Sequence, residues 1–192
     1  MGRIVATEFI SLDGVIEDPG GSEDYRHGGW TFEIDRGEEG DKFKLDELME
    51  ADAQLLGRVT YEGFAEAWPK YEEEGQLGDF ATKMNEMPKY VVSSTLTEPS
   101  WRNTTVLDGD PAATVRQLKD EFDGVILIAG SASLVKALIE NDLLDELRLM
   151  VFPVLLGEGK RIFPEGEAKI PLKLIEAKTV GDGISLVRYE RG

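Results

Sequence analysis

The sequence predicts an α/β fold: a three-layer αβα sandwich whose central sheet is mostly parallel, with an antiparallel C-terminal edge. Three observations carry this. Strand-like and helix-like segments alternate through most of the 192 residues, the order that stacked βαβ units produce. Residues 124–130, GVILIAG, are apolar without alternation, as in a parallel strand covered on both faces. Two strand-like segments close the chain around Gly181-Asp182-Gly183, a hairpin turn signal.

Each element has its own signal. Residues 3–10, RIVATEFI, are rich in β-branched and aromatic types and form the first strand. Asp13-Gly14 marks a turn, followed by the apolar pair Val15 and Ile16. Residues 17–30, EDPGGSEDYRHGGW, are glycine-rich and longer than most connectors, so they form either a lid or a disordered insert. Phe43, Leu45, Leu48 and Met49 recur at helical spacing over 41–52. Residues 53–56 are a strand, and 58–68 a helix that Pro69 stops. A further helix covers 77–87. The stretch 88–96, PKYVVSSTL, is a strand with Pro88 at its mouth, and NTTVLDGD gives a short strand and a turn. Pro111 opens a helix over 111–122, the place proline favours. Residues 131–142 form a helix with Ser131 near its cap, 145–156 a long strand, and 172–180 with 184–190 the closing hairpin. No repeat and no linker divides the chain, so one domain is expected over residues 1–192.

Composition narrows the function. There are 38 acidic and 21 basic side chains, a net charge of −17. Such a field repels phosphate backbones, so nucleic acid is not an expected partner. It still allows a small phosphorylated ligand held by a few placed groups. No apolar stretch approaches the roughly 18 residues that span a bilayer; Leu147–Leu156 is interrupted by Arg148 and Pro153. The start, MGRIVATEF, lacks a secretory apolar core. Cysteine is absent, which excludes disulfides and thiolate chemistry. A cytoplasmic protein without membrane contact is the expectation. His27 is the only histidine, so a two-histidine metal site is impossible and no metal is expected. Neither a Walker loop, nor a G-x-G-x-x-G opening a βαβ unit, nor a G-x-S-x-G elbow is present.

Three strand ends share one character. One runs into Gly57-Arg58-Val59-Thr60, one into Ser93-Ser94-Thr95, and one into Gly130-Ser131-Ala132-Ser133. Two of them open helices. In an open parallel sheet, ligands sit beyond the carboxyl ends of the strands. Helix N-termini there offer unpaired N–H groups and partial positive charge, glycine permits close backbone approach, and hydroxyls add donors. Arg58 can grip a phosphate through two parallel hydrogen bonds, or it can pair with Glu62 at i+4. Together the three ends describe a cleft for a ligand with more than one phosphate, such as a dinucleotide. Gly157-Glu158-Gly159 is either a plain turn or a loop rimming the substrate pocket.

The segments SLDGVIE, LLGRVTYEGF, YVVSSTL, IAGSASLVKALIENDLLDELRLMVFPVLLGEGKRIF and the closing hairpin occur in this order. With them the sequence resembles the dihydrofolate reductase-like superfamily over nearly its whole length. Within it, the similarity is to the branch containing the reductase domain of the bifunctional riboflavin-biosynthesis deaminase/reductase and its stand-alone relatives. The resemblance implies an NADPH-dependent reductase of a small heterocyclic substrate, often a homodimer, with the alternative of a nucleotide-binding relative that lost catalysis. Carried over, Arg58 holds the adenosine 2′-phosphate, and Gly57 and Thr60 contact the cofactor phosphates. Ser93, Ser94 and Thr95 lie near the 2′-phosphate and adenosine. Gly130, Ser131, Ala132 and Ser133 wrap the pyrophosphate, and Phe9 and Ile16 face the nicotinamide. Residues 17–30 are the lid. Asp13, Asp41 or a bound water supplies the proton, and Met150 and Phe152 belong to the substrate pocket. The strands near the C-terminus, including Leu147–Leu156, supply the dimer interface.

Departures from the family pattern are visible. Many members carry two adjacent glycines where this chain has Gly130-Ser131. The acidic residue that binds the pterin in folate-reducing members falls among Asp41, Asp46 and Glu47, and Met150 stands where those members have threonine. No basic cluster for a ribose phosphate is evident, although Lys160 and Arg161 are near.

Overall fold

A computed structural model describes residues 1–166 and 169–192. The strands are β1 (Arg3–Ser11), β2 (Ala53–Gly57), β3 (Lys89–Val92), β4 (Thr104–Leu107), β5 (Val125–Ala129), β6 (Glu146–Phe152), β7 (Leu172–Val180) and β8 (Ile184–Arg191). The helices are α1 (Gly37–Glu50), α2 (Arg58–Glu73), α3 (Gly78–Glu86), α4 (Pro111–Glu121) and α5 (Ala132–Glu140). The strands form one sheet in the order β4-β3-β2-β5-β1-β6-β8-β7. The first six in that order pair in parallel, and β8 and β7 are antiparallel.

The apolar run in β5 is buried because β5 lies between β2 and β1 with layers on both faces. Ile126 and Ile128 pack with Val115 and Leu118 of α4 and Leu134, Val135 and Leu138 of α5. Leu127 turns the other way, to Leu48 of α1, Tyr61 of α2 and Met84 of α3. Each such side chain taken from water contributes about 1.5–3 kcal/mol before entropy is counted. A third cluster joins Met150 and Phe152 of β6 to Val180, Ile184, Leu186 and Trp30.

Several boundaries differ from the sequence reading. Pro69 does not stop α2, which continues to Glu73. An internal proline costs about 3 kcal/mol, and here aromatic packing offsets it. Trp68 stacks on Phe80 at 5.4 Å and meets Phe64 and Tyr71 edge-on, while Asn85 Nδ2 donates to the Trp68 carbonyl at 3.0 Å. The strand expected over 145–156 ends at Phe152, because Pro153 has no N–H for the ladder. The strand expected over 88–96 ends at Val92. Beyond it Ser93 Oγ accepts the N–H groups of Thr95 and Leu96, at 3.2 and 3.0 Å, and turns the chain.

Residues 17–30 are not a disordered insert. Asp18 Oδ1 accepts the N–H groups of Ser22 and Glu23. Trp30, buried, donates its indole N–H to the Glu17 carbonyl at 2.9 Å. Tyr25 donates its hydroxyl to the Glu158 carbonyl at 2.7 Å. The 157–159 loop therefore anchors this segment and does not rim the pocket itself. No helix of the described chain is long and apolar enough to cross a membrane.

Candidate active site

The carboxyl ends of β1, β2 and β5 open onto a cleft of about 970 Å³. The three ends are joined by hydrogen bonds that the sequence did not disclose. Ser131 Oγ accepts the N–H of Gly57 at 2.9 Å. Thr60 Oγ1 accepts the N–H of Ser131 at 3.0 Å. Glu8 Oε2 accepts the N–H of Gly130 at 3.1 Å. Ser131 thus does not cap its own helix with its side chain; it reaches across to β2.

The Gly130-Ser131 bend survives without a second glycine. Both residues are left-handed, with φ of +68° and +59°. A non-glycine residue there costs on the order of 1–2 kcal/mol. The two hydrogen bonds on Ser131, each worth about 1 kcal/mol, offset that cost. Glycine suits 130, where φ is left-handed and an added Cβ would stand 3.2 Å from Thr60 Cγ2 and have to push it aside. In this network the Ser131 and Thr60 hydroxyls act as acceptors, so each keeps a proton to donate into the cleft. The first turns of α2 and α5 add N–H groups without intrahelical partners. Gly57, Arg58, Thr60, Gly130, Ser131, Ala132 and Ser133 all border the cleft. This donor set suits a pyrophosphate.

Arg58 pairs with Glu62, its Nη1 lying 2.8 and 2.9 Å from the two carboxylate oxygens. Ser93, Ser94 and Thr95 follow Val92, which sits opposite Gly57 in the sheet, and they lie just outside the cleft wall. Phe9 and Ile16 border the cleft, with the Phe9 ring under the Lys44 ammonium at 4.8 Å.

Asp13, Met150 and Phe152 also lie outside the cleft lining. Asp13 does not border the cleft. Its carboxylate accepts the Ser11 hydroxyl at 2.6 Å and the N–H groups of Leu156 and Gly157 at 3.1 and 2.7 Å. The Ser11 hydrogen bond, helped by those two N–H groups, lowers its pKa to about 2. Asp13 is therefore an anion that fixes a loop, not a proton donor. Met150 and Phe152 are buried core beneath the site: Trp30 meets the Phe152 ring edge-on at 5.3 Å. Their side chains alternate into the interior because β6 is covered on both faces. Asp41 does border the cleft, at its mouth, paired with Arg36.

Of the acids the sequence offered on α1, Glu47 is buried, ion-paired with Lys44, and accepts the Thr7 hydroxyl at 2.8 Å; the structure adds one that the motifs did not reveal. Glu8 is also buried, and that burial pushes its carboxyl well above the usual carboxylate range, against the pull of the Gly130 N–H and Lys44. Glu8 Oε1 and Glu47 Oε2 are buried without a hydrogen-bond partner among the described residues, and both side chains border the cleft. A charged residue inside the otherwise strand-like RIVATEFI was the one available signal for Glu8.

Comparison with known proteins identifies the family and the fold. Residues 3–186 match the RibD C-terminal domain family. Two Bacillus subtilis (strain 168) relatives, the uncharacterized proteins YyaP and YwjB, are each 29% identical to this chain. The alignments cover 97% of this chain and 94% of YyaP, and 92% of this chain and 91% of YwjB. A candidate riboflavin biosynthesis protein of Shewanella sp. PV-4 superposes with a TM-score of 0.74 at 22% identity, covering 99% of each chain. Dihydrofolate reductase of Enterococcus faecalis, complexed with NADP(H), gives a TM-score of 0.62 at 18% identity, covering 99% of this chain and 96% of that one. The fold is dihydrofolate reductase-like.

Proposed function

Because this chain belongs to the RibD C-terminal domain family, we propose that it is an NADPH-dependent reductase of a small pteridine- or pyrimidine-like heterocycle. The observation that carries this reading is the Ser131–Gly57–Thr60 network, which brings two hydroxyl-bearing residues and the N-termini of two helices to one cleft. The bound nicotinamide supplies the hydride; the chain positions it and keeps water out.

In this reading Ser131, Ala132 and Ser133, with Gly57 and Thr60, hold the pyrophosphate. Arg58 holds the 2′-phosphate beside Ser93, Ser94 and Thr95. Its pair with Glu62 is exposed, about half on each side chain, so it is worth only about 0.3–0.5 kcal/mol and yields to a doubly charged phosphate. Burial raises the pKa of Glu8 well above the usual carboxylate range, which disfavours a negative charge beside the Gly130 bend. Phe9 and Ile16 flank the nicotinamide. The unpartnered oxygen of Glu47 accepts an N–H from the heterocycle's edge. Of the two carboxyls expected to deliver the proton, Asp41 borders the cleft and is the one this reading keeps in that role.

We propose a homodimer as well, with a different interface from the one the sequence suggested. Leu147–Leu156 is largely consumed within the sheet, whereas Leu172, Leu174 and Ile175 of the edge strand β7 are exposed. Light scattering at micromolar concentration tests this; a monomer there rejects it.

Calorimetry with NADPH and NADH, followed by turnover with dihydrofolate and the ribosylated pyrimidine of riboflavin biosynthesis, tests the reductase reading. Tight NADPH binding with turnover supports it. Binding without turnover on any ring of these types favours the non-catalytic alternative, and no binding rejects both.

A further inference from the structure

Among the cations bordering the cleft, Lys44 is set deepest. Its side chain is 13% exposed, against 34–53% for Arg36, Arg58 and Lys160. It reaches from α1 to the Phe9 ring, with Nζ 4.8 Å from the ring centroid. An ammonium carries three N–H donors. One goes to Thr7 Oγ1 at 2.9 Å and one to Glu47, and the Thr7 hydroxyl donates onward to Glu47 Oε1 at 2.8 Å. The third has no partner among the described residues.

The acids of α1 are already matched. Asp41 pairs with Arg36, Asp46 with Lys42, and Glu47 with Lys44; Asp46 does not border the cleft at all. Burial disfavours a charge on Glu8. Arg36 brings a second cation to the same ring, its Cζ 5.4 Å from the Phe9 centroid. A ring lying beside Phe9 therefore meets a free donor and positive charge, while the α1 carboxylates around it are balanced by their own partners. A cationic ring would be desolvated there without a carboxylate of its own.

We propose that Lys44 contacts the substrate and determines specificity: its third N–H donates to a carbonyl oxygen of the ring, and it discriminates against rings that present an amino group at that position. A carbonyl oxygen completes the ammonium's set of acceptors. An amino group would set donor against donor and leave both unpaired, and such a mismatch in a buried site is strongly selective. Glu47 and Thr7 act as positioning residues, holding the ammonium over Phe9. This inference rests on the reductase reading for the placement of the substrate ring beside Phe9.

The test uses two probes of one shape on the full chain saturated with NADPH: pteridine-2,4-dione and pteridine-2,4-diamine, which differ only in bearing oxygen or amino groups at two ring carbons. Calorimetry reads both dissociation constants. The expected result is at least tenfold tighter binding of the dione. Lys44→Met removes the donor and keeps the stem. It is expected to cut the preference to about threefold or less, as the dione loses its donor and the diamine gains the released Glu47 carboxylate. Lys44→Arg retains donors and is expected to keep the dione the tighter ligand. A merely structural Lys44 would lower both affinities alike and leave their ratio standing. Where Lys44→Met does not fold with Glu47 unpaired, the double variant Lys44→Met, Glu47→Gln removes both charges and reads the same ratio. Equal or tighter binding of the diamine by the wild type, failure of both probes to bind, or an unchanged ratio in the methionine variants overturns the proposal. Repeating the titrations without cofactor separates the two readings. If NADPH fails to bind while the preference and its loss in Lys44→Met persist, the reductase reading falls and the role of Lys44 stands. NADPH binding with a preference indifferent to Lys44 has the reverse meaning.

Discussion

Ser131 Oγ lies 2.9 Å from the Gly57 nitrogen and accepts its N–H, so the end of β5 is tied to the end of β2 across the mouth of the cleft. The same residue occupies a left-handed backbone conformation. Its side chain and its backbone therefore act in opposite directions on stability. Ser131→Ala removes the hydrogen bond and keeps the strain, and is expected to destabilise the protein by about 1–2 kcal/mol. Ser131→Gly removes both, and the relief of about 1 kcal/mol leaves it closer to wild type. Urea denaturation distinguishes the two; a glycine variant no more stable than the alanine variant contradicts this account.

Arg58 and Glu62 give an opposed pair of variants. Arg58→Ala is expected to weaken NADPH binding by about 1.5–3 kcal/mol, the worth of a charge-assisted contact, with NADH unaffected. Glu62→Ala frees Arg58 from its exposed pair and is expected to tighten NADPH slightly, by about 0.3–0.5 kcal/mol. Calorimetry reads both, and weaker NADPH binding by Glu62→Ala is the outcome that rejects the exchange of partners.

Glu8 predicts a pH dependence. Its folded-state pKa lies well above the ordinary 4.5. Below that ordinary value the carboxyl is protonated folded and unfolded alike, and its contribution to stability is complete. As pH rises, the unfolded chain releases the proton while the folded chain retains it, so stability falls between the two pKa values. Above the folded value a charge stands beside the Gly130 bend and NADPH binding weakens. Glu8→Gln is expected to flatten both profiles while keeping the acceptor for the Gly130 N–H. Persistence of the wild-type slope in that variant excludes Glu8 as its source.

Asp13 runs the other way. Its pKa of about 2 lies below the ordinary 3.8, so its stabilisation is present above pH 3.8 and lost as pH falls toward 2. Asp13→Asn is expected to lower Tm at neutral pH and leave NADPH binding unchanged. A large loss of turnover at unchanged Tm restores Asp13 to the chemistry.

The strand–helix alternation, the buried β5, the closing hairpin and the two glycine-led strand ends that border the cleft, at Gly57 and Gly130, were legible because they rest on local quantities: periodicity, apolar runs, and glycine and hydroxyl placement at element ends. The family resemblance lay in contiguous motifs for the same reason. Pro69 shows where local signals stop. Its propensity to end a helix is genuine, but the packing of Trp68 on Phe80 and the Asn85–Trp68 hydrogen bond, which spans 17 positions, outweigh it.

Burial and pairing were decided only by the tertiary structure. Asp13 and Glu8 are both carboxylates beside apolar neighbours in sequence. Packing gives Asp13 two backbone N–H donors from residues more than 140 positions distant, and gives Glu8 an interior environment with one oxygen unpartnered. Met150 and Phe152 read as pocket residues until the sheet covered them. By itself the sequence determined the fold and the family, and it marked Arg58 and the glycine–hydroxyl strand ends that border the cleft, because each is written in neighbouring residues. Only the folded chain decided which acid is buried and which is held by backbone donors, how the ends of β5 and β2 lock through Ser131, and that Glu8 and Glu47 lie buried at the cleft. Those depend on contacts between distant segments, and desolvation and hydrogen bonding act through space rather than along the chain.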